Sequence, residues 1–396
     1  SWSASYTYSV DDAVSYASAS YFCYVTISSV TGPSLDPTHW ALLAAQGAPG
    51  PAGSAGAQGN QGYQGFTGPQ GTAGSNGSTG ATGATGALVP WTRITGATGF
   101  IGSWLTLRLL ELEAHVMILV YEDGIESPVL ELEDRENFTK VAGDIKDFSL
   151  LKNIFHACDI DVVFHLAGRI EIGESVKHPT IFFHNNTAGT NTVLDVMNYW
   201  GVNKIIYSST AGVYQSKDGA IVESDAVNPL NNPYAGSKYA AELAIRHSGS
   251  KHVIFRYFNL AGADPDLEMG ECHQPETHLI PVILQNLNNF TVYGKDYNTF
   301  DGTCIRDFVH VEDVAQAHLS AAEHLLNDGE SHTINLGTGE GYSIKEIIAL
   351  VQETTGEKVT FQFGDKRPGD PAMLIADISF AKSVLQYRPE HDIISI

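Results

Sequence analysis

The chain has 396 residues, room for two or three domains, with 45 acidic against 22 basic side chains and a net charge of −23. Residues 1–92 contribute only the three acids Asp11, Asp12 and Asp36, so the rest carries −20; this excludes a broad nucleic-acid or anionic-membrane surface, but not a small anion held by a few local cations. Four scattered cysteines (Cys23, Cys158, Cys272, Cys304) have neither disulfide-framework nor metal-ligand spacing, so no metal is expected, and no apolar run is long enough to cross a membrane.

Residues 1–46 are rich in Ser, Ala and aromatics, and Val14 to Ser28 reads as two short strands followed by turns at Gly32-Pro33 and Asp36-Pro37. The pattern Trp2, Tyr8-x-x-Asp11-Asp-x-Val14-x-Tyr16, Tyr21 and Trp40-Ala-Leu-Leu resembles small carbohydrate-binding β modules. Trp2, Tyr21 and Trp40 suit either sugar stacking or the core of a very small domain. In residues 47–88 glycine recurs at every third position from Gly47 through Gly86. This is the collagen-like Gly-X-Y signature, since only Gly fits the axis of three chains; with just Pro49, Pro51 and Pro69, a flexible linker is the other reading.

Residues 89–396 alternate strand-like runs (116–121, 161–166, 204–208, 253–257) with helical stretches (102–112, 149–156, 187–199, 233–247). With a glycine turn after the first strand, the expected fold class is α/β, a doubly wound parallel sheet. Gly96-x-x-Gly99-x-x-Gly102 opens the first helix, where glycines permit a tight turn and close approach of a pyrophosphate to the helix N-terminus. Farther on, Tyr234 and Lys238 lie one helical turn apart, with Thr210 upstream. An ammonium beside a phenol is expected to pull the phenol below its ordinary pKa of about 10, making Tyr234 a usable base.

The glycine turn with Phe100-Ile101, then Gly143-Asp144-Ile145, His165-Leu166-Ala167-Gly168, Ser208-Ser-Thr210 and Tyr234-x-x-x-Lys238, resembles the extended short-chain dehydrogenase/reductase family. Within it, Arg256-Tyr-Phe-Asn259, Asp301-Gly-Thr-Cys-Ile-Arg306-Asp-Phe-Val-His310, Asn335-Leu-Gly-Thr-Gly339 and Arg367-Pro-Gly-Asp370 are similar to the UDP-glucose 4-epimerases. Ala211-Gly212 after Thr210, in place of an Asp-Glu pair, separates it from the sugar dehydratases.

The resemblance implies a Rossmann-type NAD-binding domain over 89–260 and a smaller substrate region over 261–396. It implies Thr210, Tyr234 and Lys238 as catalytic residues. Gly96, Gly99, Phe100, Ile101, Gly102, Asp144, Ile145, Leu166, Ala167, Gly168, Asn185, Ser208 and Tyr257, with Tyr234 and Lys238, would contact NAD. Asn259, Leu279, Tyr293, Arg306, Arg367 and Asp370 would bind a UDP-sugar. It further implies a cytoplasmic setting for this domain and a homo-oligomer, a dimer through the epimerase-like part with a trimer through the collagen-like tract as a second mode. The competing reading is a fibre-type or sugar-binding fusion carrying a catalytically impaired epimerase-like passenger.

Several positions depart from the family pattern. The first strand would be Val89-Pro90-Trp91-Thr92-Arg93-Ile94, where proline and a charge suit a central strand poorly. Val120 stands where an acid would hold the adenosine ribose, with Glu122 and Asp123 out of register, and Ile170 stands where a lysine would face the cofactor. Glu113 replaces a helix-ending glycine, and the chain ends before the family's last helix. Weakened NAD binding is the expected consequence.

Overall fold

The structure, a computed structural model, describes residues 7–8, 13–16, 19–23, 27–28, 40–45, 91–121, 127–132, 135–156, 160–264, 269–271, 276–367 and 370–396. The collagen-like tract, Trp2, Glu122, Asp123, Cys158 and Cys272 lie outside these residues. The chain divides into two units, Ser1–Thr82 and Gly83–Ile396. In the first, β1 (Thr7–Tyr8) pairs antiparallel with β4 (Ile27–Ser28), while β2 (Ala13–Tyr16), β3 (Ala19–Cys23) and β5 (Trp40–Ala45) form an antiparallel sheet with Val14 and Cys23 buried.

In the second unit, β6 (Trp91–Thr95) is a central strand of a seven-stranded parallel sheet. It lies between β7 (His115–Val120) and β9 (Val162–His165); β8 (Phe138–Ala142) is outside β7, and β10 (Lys204–Thr210), β11 (Lys251–Tyr257) and β16 (His332–Leu336) follow on the other side. This corrects the expectation for the first strand. The strand starts after Pro90, and Arg93 is accommodated, 3 % exposed, with its Nη2 donating to the Ile154 carbonyl at 3.2 Å. The order reverses between β6 and β9, the switch point at which open α/β sheets bind ligands.

Both faces of the sheet are covered, as an all-parallel sheet requires. Alternate strand residues enter opposite cores: Ile118, Phe164, Ile206 and Phe255 face one, while Met117, Val163, Ile205 and Ile254 face the other. The first core is packed by α1 (Phe100–Glu111), α8 (Val311–Leu326) and α10 (Ser379–Leu385); the second by α2 (Phe148–His156), α5 (Gly189–Trp200) and α6 (Pro233–His247). Before α5, α3 (Ile172–Lys177) and α4 (Pro179–Phe182) lead into a π-helical turn at Phe183–Ala188. The sheet thus recruits α8 and β16 from beyond residue 260.

A third core, including Ile283, Phe290, Phe308 and Ile347, underlies a smaller region after β11. There β12 (Asn259–Ala261) pairs with β15 (Phe308–His310), and β13 (Phe290–Tyr293) with β18 (Phe361–Gly364). The strand β14 (Ile305–Arg306) lies between β17 (Tyr342–Ser343) and β19 (Met373–Leu374), with α7 (Leu279–Gln285) and α9 (Ile344–Thr355) alongside. Ser343 and Glu346 form a reciprocal capping box on α9.

The end of α1 shows what the missing glycine does. Glu113 takes the left-handed conformation (φ 60°) that a glycine would adopt without a Cβ penalty, and the helix still closes, with Ala114 N–H donating to the Leu109 carbonyl at 3.0 Å. Relief of that strain outweighs the entropy glycine adds to the unfolded chain, so Glu113→Gly is expected to stabilise the protein by about 1 kcal/mol in urea denaturation.

Candidate active site

The glycine turn is built by steric necessity. Gly96 has φ 75°, and a Cβ there would stand 2.6 Å from Ala167 N; a Cβ on Gly102 would stand 2.1 Å from the Gly96 carbonyl oxygen. Gly99 caps α1 without a side-chain bond, so the first turn of the helix presents bare backbone, while Phe100 and Ile101 remain partly exposed beside it. A cradle that backbone packing closes to side chains, at a helix N-terminus on the switch point, fits a dinucleotide pyrophosphate.

A directed hydrogen-bond relay ties this turn to the end of β9. Ala167 N–H donates to Thr95 Oγ1 (3.3 Å), Thr95 Oγ1 lies 2.7 Å from His165 Nδ1, and His165 Nε2 lies 2.8 Å from Thr190 Oγ1. The Thr190 hydroxyl gives its own proton to the Asn186 carbonyl at 2.6 Å, so it accepts from His165 Nε2–H, and Thr95 donates to Nδ1. Burial and the nearby Lys238 push His165 down to about 3, so its imidazole is neutral.

The catalytic candidates meet at the carboxyl end of β10. Asn232 caps α6 by accepting from Ala235 N–H at 2.8 Å, and Pro233 opens the helix, which sets Tyr234 and Lys238 on its first turns. Lys238 is fully buried, and its Nζ donates to the Ser208 carbonyl at 2.7 Å. A Cβ on Gly168 would lie 2.8 Å from that Nζ, so Gly96, Ala167, Gly168 and Lys238 form one contiguous surface. The Tyr234 phenol faces the Thr210 side chain, whose Oγ1 accepts from Gly212 N–H at 3.0 Å.

The electrostatics correct one expectation. Desolvation pushes the Tyr234 phenol up to about 12, only partly offset by Thr210, so it is not lowered. Lys238 cannot supply the expected pull because its own ammonium is disfavoured: burial brings it down to about 7, against a raising contribution from Glu242.

Other expected cofactor residues have defined places. Asp144 Oδ1 accepts from Lys146 N–H at 2.9 Å. Ile145 is buried, and a Cβ on Gly189 would approach its Cδ1 to 2.4 Å. Leu166 N–H donates to the Thr95 carbonyl at 3.0 Å. Tyr257 lies level with Thr210 across β10 and β11, but its hydroxyl is 2.8 Å from His318 Nε2, under the sheet. Asn185 is half-buried in the π-helical turn, while its neighbour Asn186 clasps the loop after β9: its Oδ1 accepts from Arg169 N–H at 2.8 Å, and its Nδ2 donates to the Arg169 carbonyl at 3.0 Å and to Ser237 Oγ at 2.9 Å. Val120 is partly buried against the core and Ile170 is 45 % exposed, so neither supplies a polar group.

The substrate candidates gather in the smaller region. Arg306 Nη2 is 2.5 Å from Asp370 Oδ1, which fixes the guanidinium, and the Arg367 guanidinium lies over the Tyr293 ring at 4.2 Å. Two arginines here suit a pyrophosphate. Asn259 N–H donates to the Asp307 carbonyl at 2.9 Å, and Leu279 opens α7 against the third core. Asn335-Leu-Gly-Thr-Gly339 proves structural: Asp307 accepts from Thr338 N–H and Oγ1–H at 2.8 Å each, and from Gly339 N–H at 3.0 Å.

A separate group, His310, Glu312 and His391, holds its possible ligand atoms within 4.8 Å of one another. His310 Nδ1 is committed as the cap of α8, accepting from Glu312 N–H, and its ring stacks on His391 at 4.1 Å. Among the described residues no helix is long and apolar enough to cross a membrane.

Residues 93–337 match the profile of the NAD dependent epimerase/dehydratase family. The chain belongs to that family. Residues 44–90 match the collagen triple helix repeat. As an epimerase/dehydratase family member, the chain is 41 % identical over 307 residues to a UDP-glucose 4-epimerase of Halalkalibacterium halodurans, covering 75 % of this chain and 90 % of that protein. It is 38 % identical to one of Lacticaseibacillus casei, covering 76 % and 92 %. Among solved structures, UDP-glucose 4-epimerase from Brucella ovis in complex with NAD superposes with a TM-score of 0.71 at 35 % identity, covering 77 % of this chain and 95 % of that one. The Bifidobacterium longum enzyme in complex with NAD+ and UDP gives 0.70 at 33 %, with the same coverage.

Proposed function

We propose that this chain is an NAD-dependent UDP-glucose 4-epimerase, interconverting UDP-glucose and UDP-galactose. The observation that carries the reading is the contiguous surface from Gly96 through Ala167 and Gly168 to Lys238, with Tyr234 and Thr210 beside it. A dinucleotide site and an acid–base group are thereby parts of one site. Gly96, Gly99 and Gly102 would take the pyrophosphate, and Lys238 the nicotinamide ribose. When bound, NAD supplies a hydride acceptor and donor for the sugar C4 and one positive charge.

Tyr234 takes the proton of the sugar 4-hydroxyl and later returns it, and Thr210 holds the same oxygen. Arg306, oriented by Asp370, and Arg367 hold the diphosphate. With only these distal groups anchored, the sugar can turn so that either face of C4 would meet the hydride carrier while the 4-oxygen stays with Tyr234, as inversion at C4 requires. Because burial raises Tyr234, proton abstraction needs added positive charge nearby, which the oxidised nicotinamide would supply. Homodimer formation is supported by exposed Ile172, Val176, Ile181 and Leu243 on α3, α4 and α6.

The test is direct. Purified full-length protein incubated with UDP-galactose is expected to form UDP-glucose, read by a coupled UDP-glucose dehydrogenase, and to gain activity on added NAD because Val120 offers no bond to the ribose. No conversion at saturating NAD overturns the proposal.

A further inference from the structure

Behind the catalytic pair lies a carboxylate that the reaction does not use. Glu242 is fully buried on α6, one turn beyond Lys238 and two beyond Tyr234. Its Oε1 accepts from Ser209 Oγ at 2.5 Å and from Arg256 Nε at 3.0 Å, and its Oε2 from Arg256 Nη2 at 2.6 Å and Arg246 Nη2 at 2.9 Å. Ser209 lies between Ser208, whose carbonyl takes Lys238 Nζ, and Thr210. Arg256 is itself buried, with its guanidinium 4.7 Å from the Tyr214 ring, and the Tyr214 hydroxyl donates to Asn335 Oδ1 at 2.7 Å.

We propose that Glu242 is a positioning residue for the acid–base pair, fixing the register of α6 against the end of β10 and placing, one turn from Lys238, a negative charge that opposes the desolvation of its ammonium. Two arguments support this. A buried ion pair can often be replaced by apolar groups without loss of stability, so stability alone does not call for one here. The network also bonds to β10 at the residue between the two that hold Lys238 and Tyr234, which is where a shift of register would separate them.

The groups facing Lys238 are Tyr234 and Glu242 on α6, the Tyr207 ring on β10 at 5.1 Å, and neutral His165 on β9. Glu242 is thus the one anion among them. Those facing Glu242 are Arg246, Arg256, Ser209 and the phenols of Tyr207 and Tyr214.

The inference rests on the assignment of Tyr234 and Lys238 to the proton transfer. Glu242→Gln is expected to lower the alkaline limb of the kcat/KM–pH profile by about one pH unit, since Lys238 then loses its proton earlier. The double variant Glu242→Gln/Arg256→Met removes both charges and is expected to recover the wild-type urea midpoint while keeping the shifted profile. A profile that returns to wild type with stability, an unshifted profile in either folded variant, or failure of both to fold overturns the proposal, because the pair then serves only the fold. If Tyr234→Phe leaves activity intact, the acid–base assignment itself fails; if that variant is inactive and the Glu242 variants are unshifted, only this inference does.

Discussion

Replacing Tyr234 with phenylalanine is expected to lower kcat by about 10²- to 10⁴-fold, the range that a positioned general acid–base group contributes, with KM changed only a few-fold. The ring keeps its packing on α6, and the helix start depends on Asn232 and Pro233, so the fold should survive. The lost atom is the one that reaches Thr210, at the place where a substrate hydroxyl must exchange its proton. Thr210→Ala is a less selective probe, because Thr210 Oγ1 also accepts from Gly212 N–H and so closes the turn after β10. Steady-state conversion of UDP-galactose by the two variants, each saturated with NAD, separates the roles. Wild-type kcat in Tyr234→Phe would remove tyrosine from the mechanism.

The sequence revealed most where one residue type alone satisfies the backbone. Gly96 and Gly102 mark a turn that no Cβ could enter, with Gly99 between them as the helix cap, and apolar runs marked the four strands and helices around it, α6 to its terminal residues. It misled where tertiary context overrides local preference. Arg93 looked unfit for a central strand, yet a carbonyl on α2 receives its guanidinium. Glu113 looked unable to end a helix, yet it adopts the left-handed cap. The Tyr234–Lys238 spacing falls on one helix as expected but implied the wrong direction of charge tuning, because spacing carries no information on burial. Asn186 and Glu242 carried no motif at all. Their importance comes from partners 17 to 51 and 4 to 33 residues away, so only the folded chain reveals them.

Three buried histidines make the protein sensitive to mild acid. His165 is held neutral at about 3 inside the threonine relay, and His310 and His318 at about 4 each. His318 Nδ1–H donates to the Val314 carbonyl at 2.7 Å, its Nε2 faces the Tyr257 hydroxyl, and Phe164 and Phe255 enclose the ring. In the unfolded chain all three titrate near the ordinary value of about 6.5. Below that pH the unfolded state takes up protons that the folded state refuses, so stability falls with pH from about 6.5 until the folded values are reached. Each group contributes at most about 1.4 kcal/mol per pH unit, roughly 4 together, against a typical total of about 5–15 kcal/mol. Asp307 and Glu223, raised by burial, act in the opposite sense and blunt the slope as the carboxylate range is approached. The urea midpoint of the full chain should therefore drop steeply between pH 6.5 and 5, with about three protons taken up on unfolding. His318→Gln should remove close to one of them. A midpoint that stays level across this interval would show that these imidazoles can charge inside the fold.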